Sequence, residues 1–233
     1  MQRVDVEEIL DSDSCPAPEA KSSLQDMGRI NRWFGGVATT RQMIERIAAE
    51  TGRKHFSMLE VASGLGEVPG IASRQLARRG ITLDVIFLDR LRSHLPIGNH
   101  TVVADALALP FADGAFDLVS SSLFAHHLAP GELAQFVHEG LRVSRVAVLI
   151  NDLIRHPIHL LLAYAGWPLM RSHISRLDGV ASVKRAYEPE ELRKILAANV
   201  LGAEIEISRH YLFRMGAIVW KNETLAQSTW IAA

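Results

Sequence analysis

The sequence is poor in cysteine and has no excess of positive charge, and each absence excludes a class of protein. Its one cysteine, Cys15, excludes a framework of internal disulfides and favours a reducing compartment. The formal net charge is −1 at pH 7. The chain therefore has no overall basic field with which to hold nucleic acid.

Long apolar runs are also missing. The longest, at 160–170, is interrupted by Gly166 and Pro168 and falls short of the ~20 residues that a bilayer requires. The acidic residues within 5–13 are the opposite of a basic signal peptide. We therefore expect a soluble, cytoplasmic protein that binds neither nucleic acid nor membrane.

The chain has 233 residues, 48% of them hydrophobic, which is enough for one large core in a single domain over 1–233. Apolar strand-like segments alternate with helical patterns, notably helices at 68–79 and 130–139. Such alternation indicates an α/β fold with a parallel sheet. The predicted strands are 57–62, 82–88, 100–104, 116–121 and 145–151.

Segments on either side of this alternation follow other patterns. An N-terminal helical segment, 1–50, includes a loop at 11–22, and a helix is predicted at 37–50. An insertion at 153–187 lacks a strand pattern and is predicted to form a cap over the carboxyl edge of the sheet. A helix beginning at Pro189 and two strands around 214–216 complete the chain.

The most informative local feature is the loop after the first predicted strand. Gly64 and Gly66 carry no Cβ, so a ligand can approach the main chain closely. Glu60 adds a negative charge beside this loop, whereas a phosphate site recruits positive charge or free N–H groups. The combination suits a cationic ligand such as an ammonium or a sulfonium.

Other polar residues follow the next predicted strands. Asp89 ends one strand, Asp105 ends another, and Ser120, Ser121 and Ser122 end a third. Ligands of open α/β sheets bind at the carboxyl ends of the strands, so these side chains are expected to meet at one site. A carboxylate at such a place accepts hydrogen bonds from ribose hydroxyls.

These residues carry a family resemblance. The chain resembles the class I S-adenosylmethionine-dependent methyltransferases, with E-V-A-S-G-L-G in place of the acidic-x-G-x-G-x-G signature. Residues 104–119 are similar to the ubiquinone-biosynthesis-type branch, and the resemblance covers about 57–152. It implies a Rossmann-like, mostly parallel seven-stranded sheet with helices on both faces and an antiparallel last strand.

The resemblance also implies S-adenosyl-L-methionine as cofactor and a role for each matching residue. The glycine loop would approach the methionine part, and one carboxylate each would bind the ribose and the adenine. The cofactor-binding residues implied are Glu60, Ala62, Gly64, Gly66, Asp89, Arg90, Asp105, Ala106 and Ser121. Ala62 departs from the pattern, because it replaces the first glycine and adds a methyl group at the turn.

The implied reaction is methyl transfer to a small acceptor, aromatic or polyketide-like, at oxygen or carbon. His126 and His127 follow the fourth predicted strand and are the candidates for a base that removes the acceptor's proton. No metal is expected, because His156 and His159 lack a Cys, Asp or Glu nearby to complete a ligand set. The oligomeric state is open, and a homodimer is allowed.

Two other functions remain open. The Ala62 substitution and the uncertain base are compatible with a binding or regulatory protein that has kept the fold without turnover. A nicotinamide-dependent oxidoreductase has the same sheet type, but Gly64, Gly66 and Gly70 have the spacing G-x-G-x-x-x-G instead of G-x-G-x-x-G. Binding of S-adenosylhomocysteine, methyl-transfer activity and bound nicotinamide would distinguish the three functions.

Overall fold

The computed structural model describes residues 1–11, 15–98 and 100–222. Within them lies a seven-stranded sheet of order β3-β2-β1-β4-β5-β7-β6. The first five strands in this order are parallel, and β7 runs antiparallel to both of its neighbours. The fold prediction is therefore confirmed, including the antiparallel last strand. The strands are β1 (His55–Val61), β2 (Thr82–Asp89), β3 (Thr101–Val103), β4 (Phe116–Ser122), β5 (Ser144–Leu153), β6 (Glu204–His210) and β7 (Arg214–Trp220).

Helices cover both faces of the sheet. One face packs against α2 and α3 through residues such as Ile44, Ile47 and Leu76, and the other packs against α4 and α7 through residues such as Phe136 and Leu192. The helices are α1 (Ala17–Trp33), α2 (Gly36–Thr51), α3 (Glu67–Ala77), α4 (Pro130–Val143), α5 (Pro157–Ala165), α6 (His173–Arg185) and α7 (Pro189–Asn199).

The central strands are buried on both faces. Six of the seven residues of β4 are buried, as are most of those in β5. Strands that are covered on both sides by crossover helices have near-continuous apolar sequences. This is why the apolar runs located β1, β4 and β5 to within a few residues; β2 was located as closely, although only two of its eight residues are buried.

Two predicted loops differ in the structure. Helix α1 begins at Ala17, inside the segment 11–22 that was expected to be a loop, and residues 12–14 of that segment lie outside the described residues. Pro18 occupies the first turn of α1, where the missing N–H costs little. The turn between β6 and β7 lies at 211–213 instead of 214–216, with Leu212 and Phe213 at φ values of 54° and 60°.

The segment 153–187 contains α5, a 3₁₀ turn (Trp167–Leu169) and α6. Helix α6 packs against α1 and against the 3₁₀ turn Ile9–Asp11 near the N-terminus. Across the described parts of the chain, no helix combines the length and apolar character that spanning a bilayer requires.

Candidate active site

A cavity of about 460 Å³ lies at the carboxyl edge of the sheet, and Glu8, Leu10 and Asp11 form part of its wall. Its wall combines residues that follow four different strands with Leu24 and Met27 of α1. Eight of the eleven predicted site residues line it: Ala62, Gly64, Asp89, Arg90, Asp105, Ala106, His126 and His127. Of residues 153–187, all of them described, Ser182 alone belongs to this wall.

The glycine loop has the backbone that its sequence indicated. Gly64 and Gly66 have φ values of 49° and 69°, a region that favours glycine. A Cβ on Gly66 would lie 2.7 Å from Cε1 of Phe87 in β2, so a larger residue would displace the loop from the sheet. Gly66 is not part of either cavity wall. Its contribution is therefore to the conformation of the loop and not to contact with a ligand.

Ala62 also has a left-handed backbone, with φ = 51°. A residue with a Cβ pays a steric cost of about 1–2 kcal/mol there, which glycine does not. Ala62 therefore keeps the left-handed backbone that a glycine would adopt at this position, at a cost in conformational energy.

Asp89 is held by backbone donors at the end of β2. Its Oδ2 accepts a hydrogen bond from the N–H of Gly64 at 3.1 Å, and Oδ1 accepts one from the N–H of Leu91 at 3.0 Å. The carboxylate therefore links the glycine loop to β2 and has a fixed orientation on the cavity wall.

Asp105 and Arg90 lie on the same wall and are exposed. Asp105 Oδ1 accepts a hydrogen bond from the N–H of Leu107 at 2.8 Å, which orients its carboxylate beside the buried Ala106. Arg90 Nη2 donates to the carbonyl of Asp11 at 3.1 Å. In this arrangement Arg90 holds the N-terminal segment over the cavity.

Glu60 faces a second, smaller cavity of about 60 Å³, which shares Ala62, Gly64 and four other wall residues with the first. The prediction that Glu60, Asp89 and Asp105 would surround one cavity therefore needs a correction: Glu60 lies in an adjoining recess behind the glycine loop. Burial raises the pKa of Glu60 from 4.5 to about 7. Oε2 of Glu60 and Oε2 of Glu67 are both buried without a hydrogen-bond partner.

The serine prediction also needs a correction. Ser121 is fully buried and lies outside both cavity walls, whereas Ser122 lines both. Side chains alternate along a strand, so Ser120 and Ser122 share the side of Glu60, and Ser121 points to the opposite face. The wall residue at this strand end is Ser122.

His126 is buried between two carboxylates. Its Nδ1 donates to Asp152 Oδ1 at 2.7 Å, and its Nε2 lies 3.2 Å from Glu8 Oε1. Burial lowers the pKa of a histidine, but the carboxylates of Asp152 and Glu8 raise the pKa of His126 to about 10. A ring held between two carboxylates retains its proton, which disfavours His126 as a base; that role stays a prediction.

His127 is more accessible. Its Nδ1 donates to Asp11 Oδ2 at 2.9 Å, and its Nε2 lies 3.7 Å from Glu8 Oε2. Its carbonyl accepts a hydrogen bond from Arg185 at 3.0 Å. Asp11 therefore orients the ring, and Arg185 holds the backbone that carries it.

Sequence reasoning missed Glu8, Asp11 and Asp152. Asp152 follows the pattern of polar residues near the carboxyl ends of strands, since it lies at the end of β5, and that rule would have found it. Glu8 and Asp11 are far from the histidines in sequence, and no local signal marks them. His156 and His159, which were considered for a metal, stack on Phe213.

Residues 59–147 fit the family model described as a methyltransferase domain. Over these residues the chain is similar to methyltransferases, in agreement with its resemblance to the class I S-adenosylmethionine-dependent family. The matched region runs from β1 into β5 and includes the glycine loop, Asp89 and Asp105. The resemblance that these motifs carried is confirmed.

Among curated proteins, a demethylmenaquinone methyltransferase of Renibacterium salmoninarum is 30% identical over 139 residues. The aligned part covers 57% of this chain and 52% of the relative. The chain therefore spans about half the length of the curated relative that it matches.

Solved methyltransferase structures share the fold. A SAM-dependent methyltransferase from Aquifex aeolicus superposes with a TM-score of 0.56 at 14% identity, covering 88% of this chain and 98% of the other. The plantazolicin methyltransferase BpumL, in complex with a triazolic desmethylPZN analog and SAH, gives a TM-score of 0.67 at 14% identity, covering 91% and 93%. At these identities the likeness concerns the fold.

Proposed function

We propose that this protein transfers a methyl group from S-adenosylmethionine to a small acceptor, aromatic or polyketide-like, at oxygen or carbon. The observation that carries the proposal is the cavity in which Gly64, Asp89 and Asp105 meet at the carboxyl edge of β1, β2 and β3. The whole chain acts as one methyltransferase domain in this proposal, with 1–50 as an addition that lines the cavity and 153–187 as an addition that reaches it through Ser182.

The adenosine part of the cofactor is assigned to Asp89, Asp105 and Ala106. The Asp89 carboxylate would accept from the ribose hydroxyls, and Asp105 from the adenine amine. A structural neighbour holds SAH, which supports the choice of cofactor.

The methionine part is assigned to the glycine loop and the recess behind it. Two buried carboxylate oxygens, of Glu60 and Glu67, lack partners there, and a buried charge is costly unless it is paired. The α-ammonium of S-adenosylmethionine would supply the missing positive charge. The recess of about 60 Å³ has room for such a group.

The acceptor is assigned to the apolar part of the main cavity. Its wall there includes Leu24, Met27, Leu123, Phe124 and Leu128. Methyl transfer needs the acceptor atom in line with the methyl group and the departing thioether, so positioning and exclusion of water are the main contributions of the protein. The demethylmenaquinone methyltransferase relative supports an aromatic acceptor by its name.

His127 is the candidate base for an acceptor that must lose a proton. Because Asp11 accepts the hydrogen bond from Nδ1, the neutral ring carries its free acceptor at Nε2. Glu8, Leu10 and Asp11 and, from α1, Leu24 and Met27 line the same cavity as His127, so proton transfer would occur within the cavity wall.

Calorimetry with S-adenosylhomocysteine tests cofactor binding. We expect one site per chain, and Asp89→Ala should weaken it at least about 10-fold, because it removes the ribose acceptor and frees the glycine loop. Asp113→Ala, which alters an exposed aspartate paired with Arg142, is the control and should bind as the wild type does. Absence of binding, or equal binding by both variants, would overturn the proposal.

Transfer of a radiolabelled methyl group to a panel of phenols and quinols tests turnover. Labelled product that is lost in Asp89→Ala supports an enzyme. Binding of S-adenosylhomocysteine without labelled product from any acceptor would support the alternative of a binding or regulatory protein.

The proposal includes a cytoplasmic location and a homodimer. The thiol of Cys15 is free, as in a reducing compartment. Helix α5 and the 3₁₀ turn after it expose apolar side chains, including Leu161 and Leu169, which suits a protein–protein surface. Light scattering during gel filtration would show a dimer, and Leu161→Glu should shift it to the monomer.

A further inference from the structure

Three side chains of types that bind metal ions lie close together on the cavity wall. Two of them, Glu8 and His126, have no role in the proposed function. Glu8, His126 and His127 each present a ligand atom, and these atoms lie within 4.8 Å of one another. The Glu8 carboxylate bridges the two rings, since its Oε1 lies 3.2 Å from His126 Nε2 and its Oε2 lies 3.7 Å from His127 Nε2.

Each histidine of the cluster has a carboxylate on its other ring nitrogen. Asp152 accepts from Nδ1 of His126 at 2.7 Å, and Asp11 accepts from Nδ1 of His127 at 2.9 Å. Metal-binding histidines have this arrangement, because the outer carboxylate fixes the tautomer and makes the free nitrogen a better ligand. Both Nε2 atoms are thereby left for a cation beside Glu8.

The environment of His126 supplies an independent observation. Its Nε2 is buried and has no hydrogen bond of acceptable geometry, although Glu8 is close. A buried polar atom without a partner is costly unless something else occupies its lone pair or receives its proton.

We propose that Glu8, His126 and His127 bind one divalent transition-metal ion, with Zn²⁺ as the best match. Two imidazole nitrogens and one glutamate form a known ligand set for zinc that keeps an open coordination position. Zinc–nitrogen and zinc–oxygen distances of about 2.0–2.2 Å place tetrahedral ligand atoms about 3.3 Å apart. The two histidine nitrogens lie 3.2 and 3.7 Å from the two different oxygens of Glu8, and the three ligand atoms lie within 4.8 Å of one another, so the side chains must move closer together to reach that geometry.

The local charge also favours a cation. Three carboxylates, of Glu8, Asp11 and Asp152, surround two imidazole rings, and Arg185 contacts one of them, Asp11, at 3.2 Å. Arg214 also interacts electrostatically with Asp152, and a divalent ion offsets the negative charge that remains without requiring a proton on either ring. It would also tie the N-terminal segment, through Glu8, to the end of β4.

The open coordination position of the metal belongs to the cavity wall that His127 and Glu8 line. A hydroxyl or carbonyl oxygen of the acceptor could bind there, and a bound hydroxyl would be more acidic. This use of the metal rests on the proposed function and changes His127 from a base to a ligand. Metal binding itself is independent of methyl transfer.

The test is a titration of the chelator-treated, full-length protein with Zn²⁺ by calorimetry, without cofactor, followed by elemental analysis after gel filtration. We expect one Zn²⁺ per chain. Glu8→Gln and His127→Gln each remove a ligand and should lower the affinity more than about 100-fold, whereas Asp11→Asn removes an outer carboxylate and should lower it by about 10–100-fold. Circular dichroism would verify that each variant is folded.

His94→Gln is the matched control. His94 lines the same cavity and lies 3.8 Å from a carboxylate, that of Asp89, but it is outside the cluster, so its substitution should leave the Zn²⁺ affinity unchanged. Absence of stoichiometric zinc, or equal affinity in wild type, Glu8→Gln and His127→Gln, would overturn the metal site. S-adenosylhomocysteine binding is measured separately, so failure of the metal site and failure of the proposed function are distinguishable.

Discussion

Glu60→Gln is the most informative perturbation, because it should change ligand-free stability and ligand affinity in opposite directions. Glu60 is buried, its pKa is raised by burial from 4.5 to about 7, and its Oε2 has no partner. If the recess is built for an ammonium group, the carboxylate is costly to the empty protein and favourable in the complex.

The effect on stability follows from proton linkage. Between pH 4.5 and 7 the folded protein binds more protons at Glu60 than the unfolded chain does, so stability falls as the pH rises through this window. From pH 5 to pH 8 the loss from this group is about 2.5 kcal/mol. Urea unfolding at both pH values measures the free energy of unfolding of each protein. Between them the wild type should lose this amount of stability, and Glu60→Gln should not.

The effect on binding has the opposite sign. An ammonium ligand requires ionised Glu60, so affinity falls by the factor 1 + 10^(pKa − pH), which is about 30 at pH 5.5 and near 1 at pH 8. Calorimetry should therefore show S-adenosylhomocysteine binding to the wild type about 30-fold more weakly at pH 5.5. Glu60→Gln should remove this pH dependence and weaken binding at pH 8 by about 30-fold or more, because it removes one partner of a buried charge pair.

A ligand without the amino acid part is the control. 5′-Methylthioadenosine retains the ribose and the adenine but has no ammonium group, so its affinity should be the same in both proteins. Equal affinity of wild type and Glu60→Gln for S-adenosylhomocysteine at pH 8, with the same pH dependence, would refute the reasoning.

Three further substitutions test local energetics, with urea unfolding as the measurement. Ala62→Gly should stabilise the protein by about 0.5–1 kcal/mol, since it relieves the left-handed backbone but adds freedom to the unfolded chain; a loss of stability would contradict this. Gly66→Ala should cost about 3 kcal/mol and weaken S-adenosylhomocysteine binding, because its Cβ meets Phe87 at 2.7 Å. Asp117→Ala should cost about 2 kcal/mol without altering that binding, because Asp117 accepts from the N–H of Ser57 at 2.9 Å, far from both cavities.

Much of the fold was predictable because its signals are local. Parallel strands that are buried on both faces, such as β4 and β5, produce apolar runs that can be read directly. Gly52 and Gly202 mark helix ends or turns by their left-handed backbone. The start of α1 was missed because Pro18 suggested a loop, although proline is also tolerated in the first turn of a helix.

The site was predictable in part. Gly64, Asp89 and Asp105 each follow a strand, and a parallel sheet brings the carboxyl ends of its strands to one edge. The same rule does not specify which way a side chain points. Two corrections, namely Ser122 in place of Ser121 on the wall and the separate recess of Glu60, depend on how β1 pairs with β4. That register cannot be predicted from the sequence of either strand alone.

By itself the sequence determined the order and type of the strands, the bare glycine loop and the carboxylates that follow β2 and β3. These depend on backbone preferences and burial patterns within a few residues. Only the tertiary structure decided that Asp11 and His127, 116 positions apart, would form a hydrogen bond, and that Glu8 would lie beside two histidines. Such contacts arise from the packing of whole elements against one another, and no spacing within the chain encodes them.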